Sequence, residues 1–130
     1  MRLISLLAAF SCLLFPVRAL AQSTICTVSE QTTRATVLAW DTSTKVAKFT
    51  DTFKETYVGT LVLIRSHNSG QKINLHFDFG KDHYGVDSAD FIIFPINDKF
   101  RVIGAAYATV NGRKYLTQSY GEHDATCVSI

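Results

Sequence analysis

The chain has 130 residues, with 13 Lys and Arg against 11 Asp and Glu, and nearly half of its residues are apolar. That length holds one domain and is too short for two once a leader is removed. The charge balance excludes a strongly basic, nonspecific binder of polyanions, because Arg2 and Arg18 carry the excess and lie in the first twenty residues.

The first 21 residues have the layout of a secretory signal peptide. Arg2 is the positive start, Leu3–Phe15 is the apolar run, and Ala19-Leu20-Ala21 is a small-x-small cleavage site. The apolar run is too short to span a bilayer and is closed by Pro16 and Arg18. A mature, secreted domain over residues 22–130 follows, with no membrane partner. Removal of Cys12 with the leader leaves Cys26 and Cys127, and in an oxidising compartment these are expected to pair. Free or metal-bound thiols are the alternative, but no CxxC and no Cys/His cluster favours them. No Asn-x-Ser/Thr sequon is present.

In chain order, Ser29–Trp40 has a helix start at Ser29 or Thr32, Glu30 in the first turn, and Ala35, Leu38 and Ala39 on one helical face. The segment is expected to be helical, although Thr32, Thr33, Thr36 and Val37 leave a strand open. Asp41–Thr44 is a polar turn. Tyr57–Ile64 is rich in β-formers and closes at His67–Gly70. Ile73, Leu75, Phe77 and Phe79 alternate with Asn74, His76 and Asp78, the period-2 signature of a half-buried strand. Gly80–Ser88 is expected to be a polar loop, and Phe91–Phe94 a central strand that Pro95 either ends or places at an edge. Asn97-Asp98 turns the chain into Arg101–Val110. Asn111-Gly112 then predicts a type I′ hairpin into Arg113–Tyr120. These elements make an α+β fold: one N-terminal helix packed on a four- to five-stranded antiparallel sheet, with one terminal disulfide.

Chemistry-bearing residues are few. Gly121-Glu122-His123-Asp124 is expected to be a loop with an acid/base composition, but neighbouring loop residues point in different directions. His76 and Asp78 share one strand face, with His67 and His83 nearby; a metal site is conceivable there, but the solvent face of an amphipathic strand is the favoured reading. Lys81-Asp82-His83-Tyr84 offers a polar contact surface. The Phe residues and Trp40 are core material, whereas the Tyr residues suit a surface because each joins a stacking face to a polar tip.

Several words of this sequence resemble one family. They are Arg34-Ala35-Thr36-Val37-Leu38-Ala39-Trp40, Tyr57, Phe94-Pro95-Ile96, Lys114-Tyr115-Leu116 and the two cysteines. In this order the chain resembles the ribonuclease-like secreted effectors of powdery mildew fungi, associated with haustoria, which share the fold of fungal guanyl-specific ribonucleases. It departs from them at Thr24-Ile25-Cys26, where those effectors usually carry Tyr-x-Cys. The resemblance implies a helix-on-sheet scaffold and host proteins, with RNA as a weaker partner. It also implies that catalysis is absent. The catalytic His after Tyr57, the Glu at Ile93, the Arg within Val102–Ala108 and the last His within Gln118–Tyr120 all have no counterpart. The expectation is a monomeric, non-enzymatic module without cofactor or metal. Its contact residues are expected to be Tyr57, His76, Lys81, His83, Tyr84, Tyr120, Glu122 and His123. Two other readings remain: an active endoribonuclease using His76, His83, Glu122 or His123, and a secreted inhibitor or lectin-like β-domain. The last is favoured if no N-terminal helix packs on the sheet.

Overall fold

A computed structural model describes residues 22–29, 35–67, 70–83 and 85–130. The segment expected to be a signal peptide and Tyr84 lie outside them. Eight strands follow one another: β1 Ser23–Val28, β2 Ala35–Asp41, β3 Val46–Asp51, β4 Thr56–His67, β5 Gly70–His83, β6 Val86–Ile96, β7 Lys99–Val110 and β8 Arg113–Ser129. Each pairs antiparallel with the next, and β8 pairs with β1, so the sheet closes into an up-and-down barrel. The expected α+β architecture is therefore replaced by an all-β one, and no helix occurs among the described residues.

The helix expected over Ser29–Trp40 fails for a local reason. Within its described part, Leu38 (0% exposed) and Trp40 (7%) are buried, while Val37 and Ala39 are half-buried. That alternation is the period of a strand, and it places Leu38 and Ala39 on opposite faces. The β-branched Thr36 and Val37 agree with it. Two segments expected to be loops are also strand. The Gly80–Ser88 segment is mostly the end of β5 and the start of β6, with Gly80 and Gly85 at positive φ where the pairing is interrupted. Gly121–Asp124 lies inside β8, where Gly121 has a φ of 71°. Pro95 does not end its strand, since β6 continues through it to Ile96 and pairs Pro95 with Phe100. The turn at Asn111-Gly112 matches expectation: both residues have positive φ, as a type I′ hairpin requires.

Inside the barrel, large and small residues are matched. Phe49, Phe77 and Phe91 reach inward from β3, β5 and β6, while Ala47, Ala106 and Ala125 and the buried Gly104 leave room for them. A Cβ on Gly104 would come within 2.7 Å of the Phe91 ring and 2.9 Å of the Tyr120 ring. Gly59 meets the His76 carbonyl and the Phe77 ring still more closely. The polar turn Asp41–Thr44 joins β2 to β3 at the end of the barrel that also carries both termini. There the Asp41 carboxylate accepts backbone N–H bonds from Ser43 at 2.7 Å and Thr44 at 2.9 Å.

The strand seam that closes the barrel carries the disulfide: Cys26 and Cys127 are direct register partners on β1 and β8 and are bonded to each other. Replacing both with Ala is expected to lower the unfolding free energy by about 2–5 kcal/mol in chemical denaturation. The Asp41 turn adds a pH dependence. Backbone N–H bonds from Thr44 and Ser43 hold its carboxyl below the ordinary value of 3.8. Its contribution is thus present above that value and is lost as pH falls through the lower, folded one. Stability of the native chain should fall between about pH 5 and pH 2 more steeply than that of Asp41→Asn, followed by denaturation at each pH.

Candidate functional site

Strand direction fixes which residues meet at each end of the barrel. The β3–β4, β5–β6 and β7–β8 turns gather at the end opposite the termini. A cavity of about 690 Å³ opens there. Its wall is aromatic because inward positions continue past the filled core: Phe49 on β3, Tyr57 on β4, Phe79 on β5 and Tyr120 on β8. Phe91 and Ala89 of β6 line it more deeply and are almost fully buried.

The rings hold one another in place. Phe49 stacks on Tyr57 with centroids 4.7 Å apart, and Phe79 meets both edge-on, at 5.9 and 5.3 Å. Phe91 and Tyr120 lie nearly parallel, 6.2 Å apart. Such pairs add about 0.5–1.5 kcal/mol each beyond the area they bury, so the wall is preformed.

The rim is polar and acidic. Asp51, only 8% exposed, ends β3 and organises the turn to β4. One oxygen, Oδ1, accepts the backbone N–H of Phe53 and of Glu55, each at 2.9 Å. Tyr57 donates its phenol hydrogen to Glu55 Oε2 at 2.7 Å and lies 3.4 Å from Asp51 Oδ2. Burial first, then the hydrogen bond to Glu55 and the two nearby carboxylates, push the phenol well above its ordinary value of 10.0. Tyr57 therefore remains a neutral donor at physiological pH. Phe53 stands at the rim with its ring 76% exposed, and Thr117 and Gln118 of β8 complete the opposite lip.

Of the expected contact residues whose side chains the structure describes, only Tyr57 and Tyr120 come together here. His76 lies on the outer face, bonded through Nδ1 to Asp90 at 2.8 Å and 3.3 Å from Asp78 through Nε2. Lys114 completes that surface network, 3.4 Å from Asp90 and over the Tyr107 ring. Glu122 and Asp124 are also outside, where both contact Arg101. His123 is buried on the opposite face of β8 and bonded to the Tyr120 carbonyl. Successive strand residues point to opposite faces, so Glu122 and His123 cannot act on one substrate atom. The side chains of Lys81 and His83, like Tyr84, lie outside what the structure describes. No group of three or more metal-ligating side chains occurs among the described residues.

Sequence reasoning missed Asp51, Glu55, Thr117 and Gln118, and it read Phe49, Phe79 and Phe91 only as core. The usable signal was the inward alternation of β5, which continues from Phe77 to Phe79 beyond the last residue that the core covers.

Comparison with protein-family models, curated proteins and solved structures finds no match to this chain. The site's chemistry is therefore read from its own residues.

Asp51→Ala should destabilise the protein by about 1–2 kcal/mol, because two backbone donors and a phenol lose an acceptor. Denaturant unfolding measures this. Asp51→Asn, which keeps one acceptor oxygen, should recover part of the loss.

Proposed function

We propose that the mature chain is a secreted, non-enzymatic binding barrel that takes one small, ring-bearing molecule into its open end. The observation carrying this reading is the preformed aromatic cavity of about 690 Å³ with hydrogen-bonding groups confined to its rim. Its size falls in the range of ligand pockets, which pair an apolar wall with a few placed polar groups. An eight-stranded barrel is just wide enough to be filled by side chains or to admit one small ligand, and this one does each at a different end.

Acid/base chemistry has little support in the arrangement. Of the histidines expected to serve a nuclease, His76 lies on the outer face and His123 in the interior, and the cavity's carboxylates are engaged by a turn and a phenol. The scaffold implied by the resemblance to ribonuclease-like effectors is not the one found. The third sequence reading, a secreted β-domain with no helix packed on the sheet, agrees best with the fold.

Titration of the purified mature protein with 1-naphthol, a neutral two-ring probe, should show saturable binding at one site by calorimetry. Phe79→Ala should weaken it about 5- to 10-fold, the loss of one ring contact. Absence of saturable binding to the folded wild-type protein would sink this reading.

A further inference from the structure

The polar groups of the cavity are not balanced in sign, and this narrows the ligand. The ionisable side chains lining it among the described residues, apart from the phenols of Tyr57 and Tyr120, are Asp51 and Glu55, both acidic. No described Lys or Arg lines it; Lys54 belongs to the same turn but not to the wall. The aromatic wall acts in the same direction, since ring faces carry the negative part of the aromatic quadrupole and attract cations. Asp51 is engaged in holding the turn, as its bonds to the Phe53 and Glu55 N–H groups show. Glu55 is different: it is exposed at the mouth, and Tyr57 orients it through a single bond to Oε2. An ionised carboxylate accepts several donors at once. A ligand seated over Phe49, Phe79 and Tyr57 would present its polar end to this carboxylate.

Resting on the binding reading above, we propose that the site selects a protonated amine carried on an aromatic body, the ammonium meeting Glu55 at the rim and the ring lying against the aromatic wall. Ligand and site then complement each other at two places. The ring replaces water on apolar surface, and the ammonium forms a charge-assisted bond beside ring faces that already favour it. An anionic ligand of the same shape meets two carboxylates and is rejected, so the acidic rim discriminates as well as binds.

Three probes with one skeleton test this: 2-phenylethylamine, 2-phenylethanol and phenylacetate, titrated by calorimetry at low and at physiological salt. The amine should bind about tenfold tighter than the alcohol. Phenylacetate should bind most weakly, and the preference for amine should shrink as salt rises. In Glu55→Gln, checked for native far-ultraviolet circular dichroism, the ratio of amine to alcohol affinity should fall to about one. Equal binding of amine and alcohol by the wild type overturns the proposal while leaving the ring-binding reading intact. So does tighter binding of phenylacetate, or a ratio unmoved by Glu55→Gln. If the three probes and 1-naphthol all fail to bind, both readings fall together.

Discussion

Closure of the barrel between β1 and β8 is the constraint on which the rest of the structure depends. Seven of the eight strand pairs join neighbours in the chain through short connections and form at low entropic cost. The eighth brings together residues 101 positions apart. β1 is only six residues long, and its register with β8 places Cys26 opposite Cys127 at the middle of five residue pairs. Backbone bonding extends the seam at both ends, from Ser29 N–H to the Asp124 carbonyl and from Ile130 N–H to the Ser23 carbonyl. On the chain-entropy model a crosslink over such a loop contributes about 4–5 kcal/mol, comparable with the net stability of a small domain. Without this seam the sheet would have two open edges and its apolar face no enclosed interior.

Once closed, the barrel has a fixed circumference, and the distribution of side-chain volume along its axis decides where it is full and where it is open. Leu38, Ile73, Leu75, Ile93 and Val102 are almost completely buried and fill the middle. Nearer the β3–β4 turn the inward residues are rings braced against one another, and the polar Asp51 takes an inward position where a further apolar side chain would have sealed the end. The small residues Gly104, Ala106 and Ala89 let the rings lie across the barrel without meeting the opposite wall. The opening at this end thus follows from the same packing that stabilises the rest. On the outer face, ion pairs such as Arg101 with Glu122 and Asp124 tie adjacent strands together. These exposed pairs add modestly to stability.

What could be read from the residues divides along physical lines. Local signals were reliable: Asn111-Gly112 predicted its turn because only certain residues adopt positive φ easily, and Ile73–Phe79 predicted its strand by alternation. The two cysteines predicted that the chain ends meet. Ser29–Trp40 misled because alanines at 35 and 39 fit a helical face as well as a strand, whereas Leu38 and Trp40 alternate into the interior and pair with the neighbouring strands β1 and β3. Gly80–Ser88 and Gly121–Asp124 misled because glycine and charge suggest loops, yet a long hairpin of a closed barrel tolerates both at bulges and on its outer face. The short words shared with the ribonuclease-like effectors favoured a helix-on-sheet scaffold, whereas strand pairing gives a barrel. The site was the least readable part. Phe49 and Phe79 look like any core aromatic, and only their height along the barrel axis decides that they face a cavity.

The proposed binding requires one end of this barrel to be filled and the other to receive a ring. Intermolecular nuclear Overhauser effects between a bound 1-naphthol probe and assigned aromatic side chains test it most directly. Contacts from the probe to Phe49, Phe79 and Tyr120, with none to Trp40 near the closed end, are the predicted result. Contacts confined to the outer face around His76 and Tyr107, or spread over the surface without preference, would contradict it.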